Sequence, residues 1–208
     1  RQKNHLDYWF DINDDDPNIV LDMNGINGWG GGTTSPGFFP FNDSSASSNI
    51  GKLTYGFGSK IEIPFTLTSS GEVKDLKGNN VPIQFNFKGD DDVWVYVDGN
   101  LILDMGGAHS KTTGNINFKN RVATVDNVVK GSLESNSLYQ PVEKSEKKFK
   151  LSSDSYVNQD ENEGYDTKKV HVLTMYYMER GMIESNLYVD FNFIPLDNEL
   201  IVEKEVDT

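Results

Sequence analysis

Alternation with a period of two most narrowly limits what this chain can become. It runs through Lys60-Ile61-Glu62-Ile63-Pro64-Phe65-Thr66-Leu67, Ile83-Gln84-Phe85-Asn86-Phe87, Val170 to Met178, and Leu187-Tyr188-Val189-Asp190-Phe191-Asn192-Phe193. Such spacing puts apolar residues on one face of an extended strand, and the helical period fits almost nowhere. Turn clusters separate the strands: Gly28-Trp29-Gly30-Gly31-Gly32, Lys77-Gly78-Asn79-Asn80 and Ser152-Ser153-Asp154-Ser155. Short strands without intervening helices predict an all-β fold, an antiparallel β-sandwich or barrel. A length of 208 residues is enough to bury a real core.

The charged run Lys144 to Lys150 reads as a solvated edge or loop. Pro195 and the turn signal Leu196-Asp197-Asn198 close the domain, which is expected to cover 1–196. Residues 197–208 alternate again. They read as a linker leading outward or the first strand of a following domain, with a final strand of this one as the other possibility. The chain opens on Arg1 in mid-stride, so it reads as a domain excised from a longer protein.

Net charge is −13 at neutral pH. Nucleic acid and anionic membrane surfaces are therefore poor partners, and cations, neutral sugars or basic protein surfaces are better ones. The absence of cysteine removes disulfides, thiolate metal sites and cysteine nucleophiles together. No apolar run approaches ~20 residues, so no membrane insertion is expected.

The segment Gly89-Asp90-Asp91-Asp92-Val93-Trp94-Val95-Tyr96-Val97-Asp98-Gly99-Asn100 sets three consecutive carboxylates before a strand. Asp98-Gly99 supplies the two positive-φ residues of a type I′ hairpin turn, with Asn100-Leu101-Ile102-Leu103-Asp104 returning. A regular register pairs Val97 with Asn100, Val95 with Ile102 and Val93 with Asp104. Asp104 would then join Asp90, Asp91 and Asp92 at the rim far from the turn. Such a cluster repels itself unless a cation neutralises it, and oxygen-only ligands favour calcium over magnesium and zinc. An acidic rim solvated by water is the alternative.

The same stretch, followed by Asp104-Met105-Gly106-Gly107-Ala108-His109, resembles the signature of the fibro-slime domain, a member of the PA14-like superfamily of β-sandwich modules. Asp7-Tyr8-Trp9-Phe10, Phe38-Phe39-Pro40, Tyr55-Gly56-Phe57-Gly58, and Tyr177-Met178-Glu179-Arg180 with Ser185-Asn186-Leu187 agree in order. The resemblance spans roughly residues 5 to 195. It implies an extracellular, non-enzymatic adhesion module of a bacterial cell-surface protein, at the cell surface or attached to the cell wall, binding a glycan or a host or cell-surface protein through calcium and monomeric in isolation. In sugar-binding relatives two consecutive aspartates hold the ion, and the ion contacts glycan hydroxyls. By position that pair is Asp90-Asp91. A second loop precedes the last core strand, here residues 179–186. From it Glu179, Glu184 and the Met182 carbonyl would complete the metal shell, with Arg180 and Asn186 toward the ligand. The alternative is a structural or protein-binding domain that calcium merely rigidifies.

Other features carry weaker signals. Asp11, Asn13, Asp15 and Asp22 nearly fit an EF-hand loop, but Asp16 replaces the required glycine, Pro17 follows it and no helices flank the run. His109 stands close to the acidic rim, where it would bond a ligand, an aspartate or loop backbone. His5 and His171 read as structural. Trp29, in its glycine-rich loop, would stack on a sugar or lie as a lid over a core edge. Consecutive carboxylates at one rim do not make the opposed pair of a glycosidase, and neither G-x-S-x-G nor H-E-x-x-H occurs, so no catalysis is expected.

Overall fold

The computed structural model describes residues 11–12, 19–22, 56–89, 92–107, 112–127, 145–151, 164–179, 187–193 and 201–205. Among them every regular element is a strand. In chain order these are β1 (Asp11–Ile12), β2 (Ile19–Asp22), β3 (Phe57–Phe65), β4 (Glu72–Lys74), β5 (Asn80–Pro82), β6 (Gln84–Gly89) and β7 (Asp92–Val97). There follow β8 (Asn100–Met105), β9 (Thr112–Asn117), β10 (Val122–Asn127), β11 (Ser145–Lys148), β12 (His171–Glu179), β13 (Leu187–Phe191) and β14 (Ile201–Glu205).

Every pairing is antiparallel. One sheet has seven strands in the order β1-β2-β13-β6-β9-β10-β11, and a second has five in the order β14-β3-β12-β7-β8. A two-stranded ribbon, β4-β5, stands apart. The expected alternation decides which face is buried. Ile61, Ile63 and Phe65 of β3, Val93, Val95 and Val97 of β7, and Leu173, Met175 and Tyr177 of β12 point inward from the five-stranded sheet. Phe85, Phe87, Ile116, Val189 and Phe191 come from the other, and together they form one contiguous core. This is the all-β antiparallel sandwich that the alternation predicts.

At one end of the core Phe65 stacks on Phe193 at 4.4 Å, and Phe118 meets Phe65 edge-on at 5.5 Å. The outer face of the seven-stranded sheet is polar. Asn115 Nδ2 donates to Asn86 Oδ1 at 2.6 Å and to Gln84 Oε1 at 3.1 Å, while Asn86 Nδ2 donates to Asp190 Oδ1 at 2.7 Å.

Two expectations change. The segment read as a linker forms β14, paired with β3 from Ile201 opposite Glu62 to Glu205 opposite Gly58. The nine-residue β3 would otherwise present a row of unpaired backbone groups on that side, and pairing satisfies them. The charged run contributes β11, whose four side chains are all exposed, as an edge strand of the seven-stranded sheet.

The hairpin register is the second change. Asp98 (φ 51°) and Gly99 (φ 75°) form the turn, and Val97 pairs with Asn100 as expected. A β-bulge then intervenes, so Val95 faces Leu103, Trp94 faces Asp104 and Val93 faces Met105. The cause lies in the consecutive apolar residues Ile102 and Leu103. A regular strand buries only one of them, whereas an extra residue in β8 lets both turn inward, at 5% and 1% exposure.

Candidate functional site

The far end of the β7–β8 hairpin from its turn gathers the buried polar side chains. Among the described residues these are Ser59, Asp92, Thr112, His171 and Glu179. Register places four of the five at this end: Asp92 opposite Met178, Ser59 opposite Tyr177, Glu179 opposite Phe57, and Thr112 opposite Gly89. Asp92 opens β7 and is 3% exposed, and Glu179 closes β12 and is 1% exposed. Their strands are hydrogen-bonded neighbours, so the two carboxylates leave the five-stranded sheet at the same rim.

A buried carboxylate costs several kcal/mol unless hydrogen bonds or opposite charge compensate it. Glu179 Oε2 accepts from the Tyr177 hydroxyl at 2.9 Å. Asp92 Oδ1 accepts a close hydrogen bond from the Gly107 N–H. That bond folds the end of β8 back over the start of β7. Gly106 makes the fold possible: a Cβ there would lie 2.8 Å from Cζ2 of Trp94, whose indole occupies the space.

Asp104 behaves differently from Asp92. The bulge turns it outward, exposed and opposite Trp94, and its Oδ1 accepts from the Gly106 N–H at 3.1 Å. Asp92, Asp104 and Glu179 share one end without converging, and among the described residues no three His, Asp or Glu side chains form a metal-holding group. The remaining candidates, Asp90, Asp91, Met182, Glu184, Trp29, His109, Arg180 and Asn186, lie outside the described residues, as does the loop of the near-EF-hand run at 13–18.

Sequence reasoning missed a pairing at the opposite end. His171 is fully buried and places Nδ1 2.8 Å from Asp98 Oδ2, while Asp98 Oδ1 accepts from the Val172 N–H at 3.0 Å. Asp98 is thus a clamp between the hairpin turn and β12 as well as a turn residue. Burial pushes its carboxyl up. The hydrogen bonds from His171 and Val172, with the charges of His171 and Lys169, outweigh that and hold it below the ordinary carboxylate value. The two partners are 73 positions apart, and nothing local in the sequence marks their meeting.

Protein psiO of Dictyostelium discoideum is 33% identical to this chain over 94 residues, which is 45% of this chain and 10% of that protein. Protein psiC of the same organism is 32% identical over 97 residues, 43% of this chain and 18% of psiC. Protein psiB is 30% identical over 90 residues, 43% of this chain and 16% of psiB. The chain thus spans a minor part of the length of each of these relatives. No family model matches it, and no solved structure does.

Proposed function

We propose that this chain is a calcium-dependent ligand-binding module, directed at glycans, from an extracellular adhesive protein of the cell surface. One observation carries the reading: two carboxylates, Asp92 and Glu179, are buried to 3% and 1% at the rim where β7 opens and β12 closes. Withdrawing two acids from water at one end of two adjacent strands is costly in a fold of marginal stability. A divalent ion seated between the Asp90–Asp92 segment and the loop after Glu179 would offset that cost. Oxygen donors of this kind suit calcium, which takes six to eight oxygens in flexible geometry. A bound calcium would leave positions for sugar hydroxyls, and a neutral sugar is compatible with the net charge of −13. The resemblance to the fibro-slime domain supports the same reading, and catalysis forms no part of it.

The internal bonds from Gly107 to Asp92 and from Tyr177 to Glu179 favour a second reading, a rim that calcium rigidifies without contacting a sugar. A glycan array probed with and without chelator separates the two. Specific signals that vanish with chelator are expected of the first. Calcium binding without any glycan signal would leave the second.

A further inference from the structure

Val172, Tyr176 and Met178 are 37%, 40% and 44% exposed, and they rank among the most exposed large hydrophobics of the described residues. All three occupy outward positions of β12, the central strand of the five-stranded sheet. On the neighbouring β7, Trp94 stands opposite Tyr176 and Tyr96 opposite Thr174, both outward and half-buried. The Tyr96 and Tyr176 rings meet edge to face at 5.8 Å and 89°. Trp94 leans on Gly106 and is held there. A sheet face bearing a contiguous stripe of partly exposed rings marks an interaction surface more often than a stray surface apolar residue does.

The charges around the stripe decide among occupants. Asp104 is exposed and opposite Trp94, and Glu62 is opposite Thr174. Lys60, opposite Tyr176 on the same face, pairs with Glu62 at 3.0 Å, so these two charges cancel and the negative charge beside the rings is that of Asp104. The whole chain carries −13. Aromatic faces attract cations through their quadrupole, and neighbouring carboxylates add to that attraction while repelling anions. A second copy of the chain would bring carboxylates against carboxylates, and a neutral sugar would make no use of the charge.

We propose that the outer face of the five-stranded sheet, along Trp94, Tyr96, Tyr176 and Met178, docks a basic polypeptide segment. Its Arg or Lys side chains lie over the rings and reach Asp104. A guanidinium suits the site because it stacks on an aromatic ring while its edge pairs with a carboxylate. This surface is distinct from the acidic rim and does not depend on the calcium reading.

The test is a titration of the calcium-saturated, nitrogen-15-labelled protein with an end-blocked Arg-Gly-Arg-Gly-Arg peptide, followed by NMR. The Trp94 indole N–H and the amides of Tyr176 and Met178 should shift along one saturating curve, while Asn86 and Asn115 on the opposite sheet stay still. The dissociation constant should rise about fivefold in Trp94→Ala, in Tyr176→Ala and in Asp104→Asn, each variant removing one ring or one charge. Raising salt from about 50 to about 300 mM should weaken binding as well. Four results would each overturn the proposal: no shifts, equal shifts on both sheets, unchanged affinity in the three variants, or the same resonances responding instead to cellotetraose or to self-association.

Discussion

Replacing Asp98 with alanine tests how the hairpin is anchored to the rest of the five-stranded sheet. The carboxylate makes two bonds, at 2.8 Å with His171 Nδ1 and at 3.0 Å with the Val172 N–H. Among the described residues the Nε2 of His171 has no partner, so the substitution leaves a fully buried imidazole without one at either nitrogen. Leaving a buried polar group unsatisfied costs ~1–3 kcal/mol, and the lost bond to Val172 adds ~1 kcal/mol. Alanine at φ 51° adds ~1 kcal/mol of backbone strain that Asp and Asn tolerate better. The expected loss is about 3–5 kcal/mol, measured by urea unfolding with calcium fixed, or on the order of 10 °C in Tm for a domain of this size. Asp98→Gly removes the side chain without the strain and should recover ~1 kcal/mol of it. The folded carboxyl is held below its ordinary value. Its ionised contribution is therefore present above pH ~4 and fades as pH falls through the folded value, so the gap between wild type and variant should narrow at acid pH while the part due to strain persists. A loss below ~0.5 kcal/mol at neutral pH, comparable to an ordinary surface change, would refute the clamp.

Two further outcomes follow from the rim. Gly106→Ala forces Trp94 off its seat and should cost ~1–3 kcal/mol in denaturant unfolding, with a shift in tryptophan emission; unchanged stability and emission would place the indole elsewhere. Glu179→Gln can still accept from Tyr177 but loses its charge, so it should weaken calcium binding by at least about tenfold in calorimetry while leaving the chelator-treated fold no less stable. Undiminished calcium affinity in that variant would remove Glu179 from the site.

The fold was largely legible because each long strand carries its own alternation. The stretches around Ile61, Phe85, Leu173 and Val189 turn the expected residues inward. The Asp98-Gly99 turn was equally readable, since its backbone demands those residue types. Register beyond the turn was not, because Ile102 and Leu103 are both apolar and alternation cannot say which one is inserted. The fate of residues 201–205 depended on an open edge of β3, a property of the assembled sheet and not of the segment. Of the acidic stretch, Asp92 lies buried at the start of β7. The burial of Glu179, the outward turn of Asp104 and the Asp98–His171 pair arise from contacts between distant strands. Trp94 and Tyr176 looked like ordinary strand aromatics until the register set them side by side.

Calcium binding by the whole chain is the most direct test of the central proposal. Thermal melts would be recorded in chelator and across a calcium series, with magnesium at matched ionic strength as the control. The proposed site predicts a Tm that climbs with calcium. The gain should reach about 2.7 kcal/mol at a hundredfold excess over Kd, with a much smaller response to magnesium. Melting curves that superimpose in chelator and in calcium would contradict the proposal, and the buried carboxylates at the Asp92 end would then be held by the protein alone.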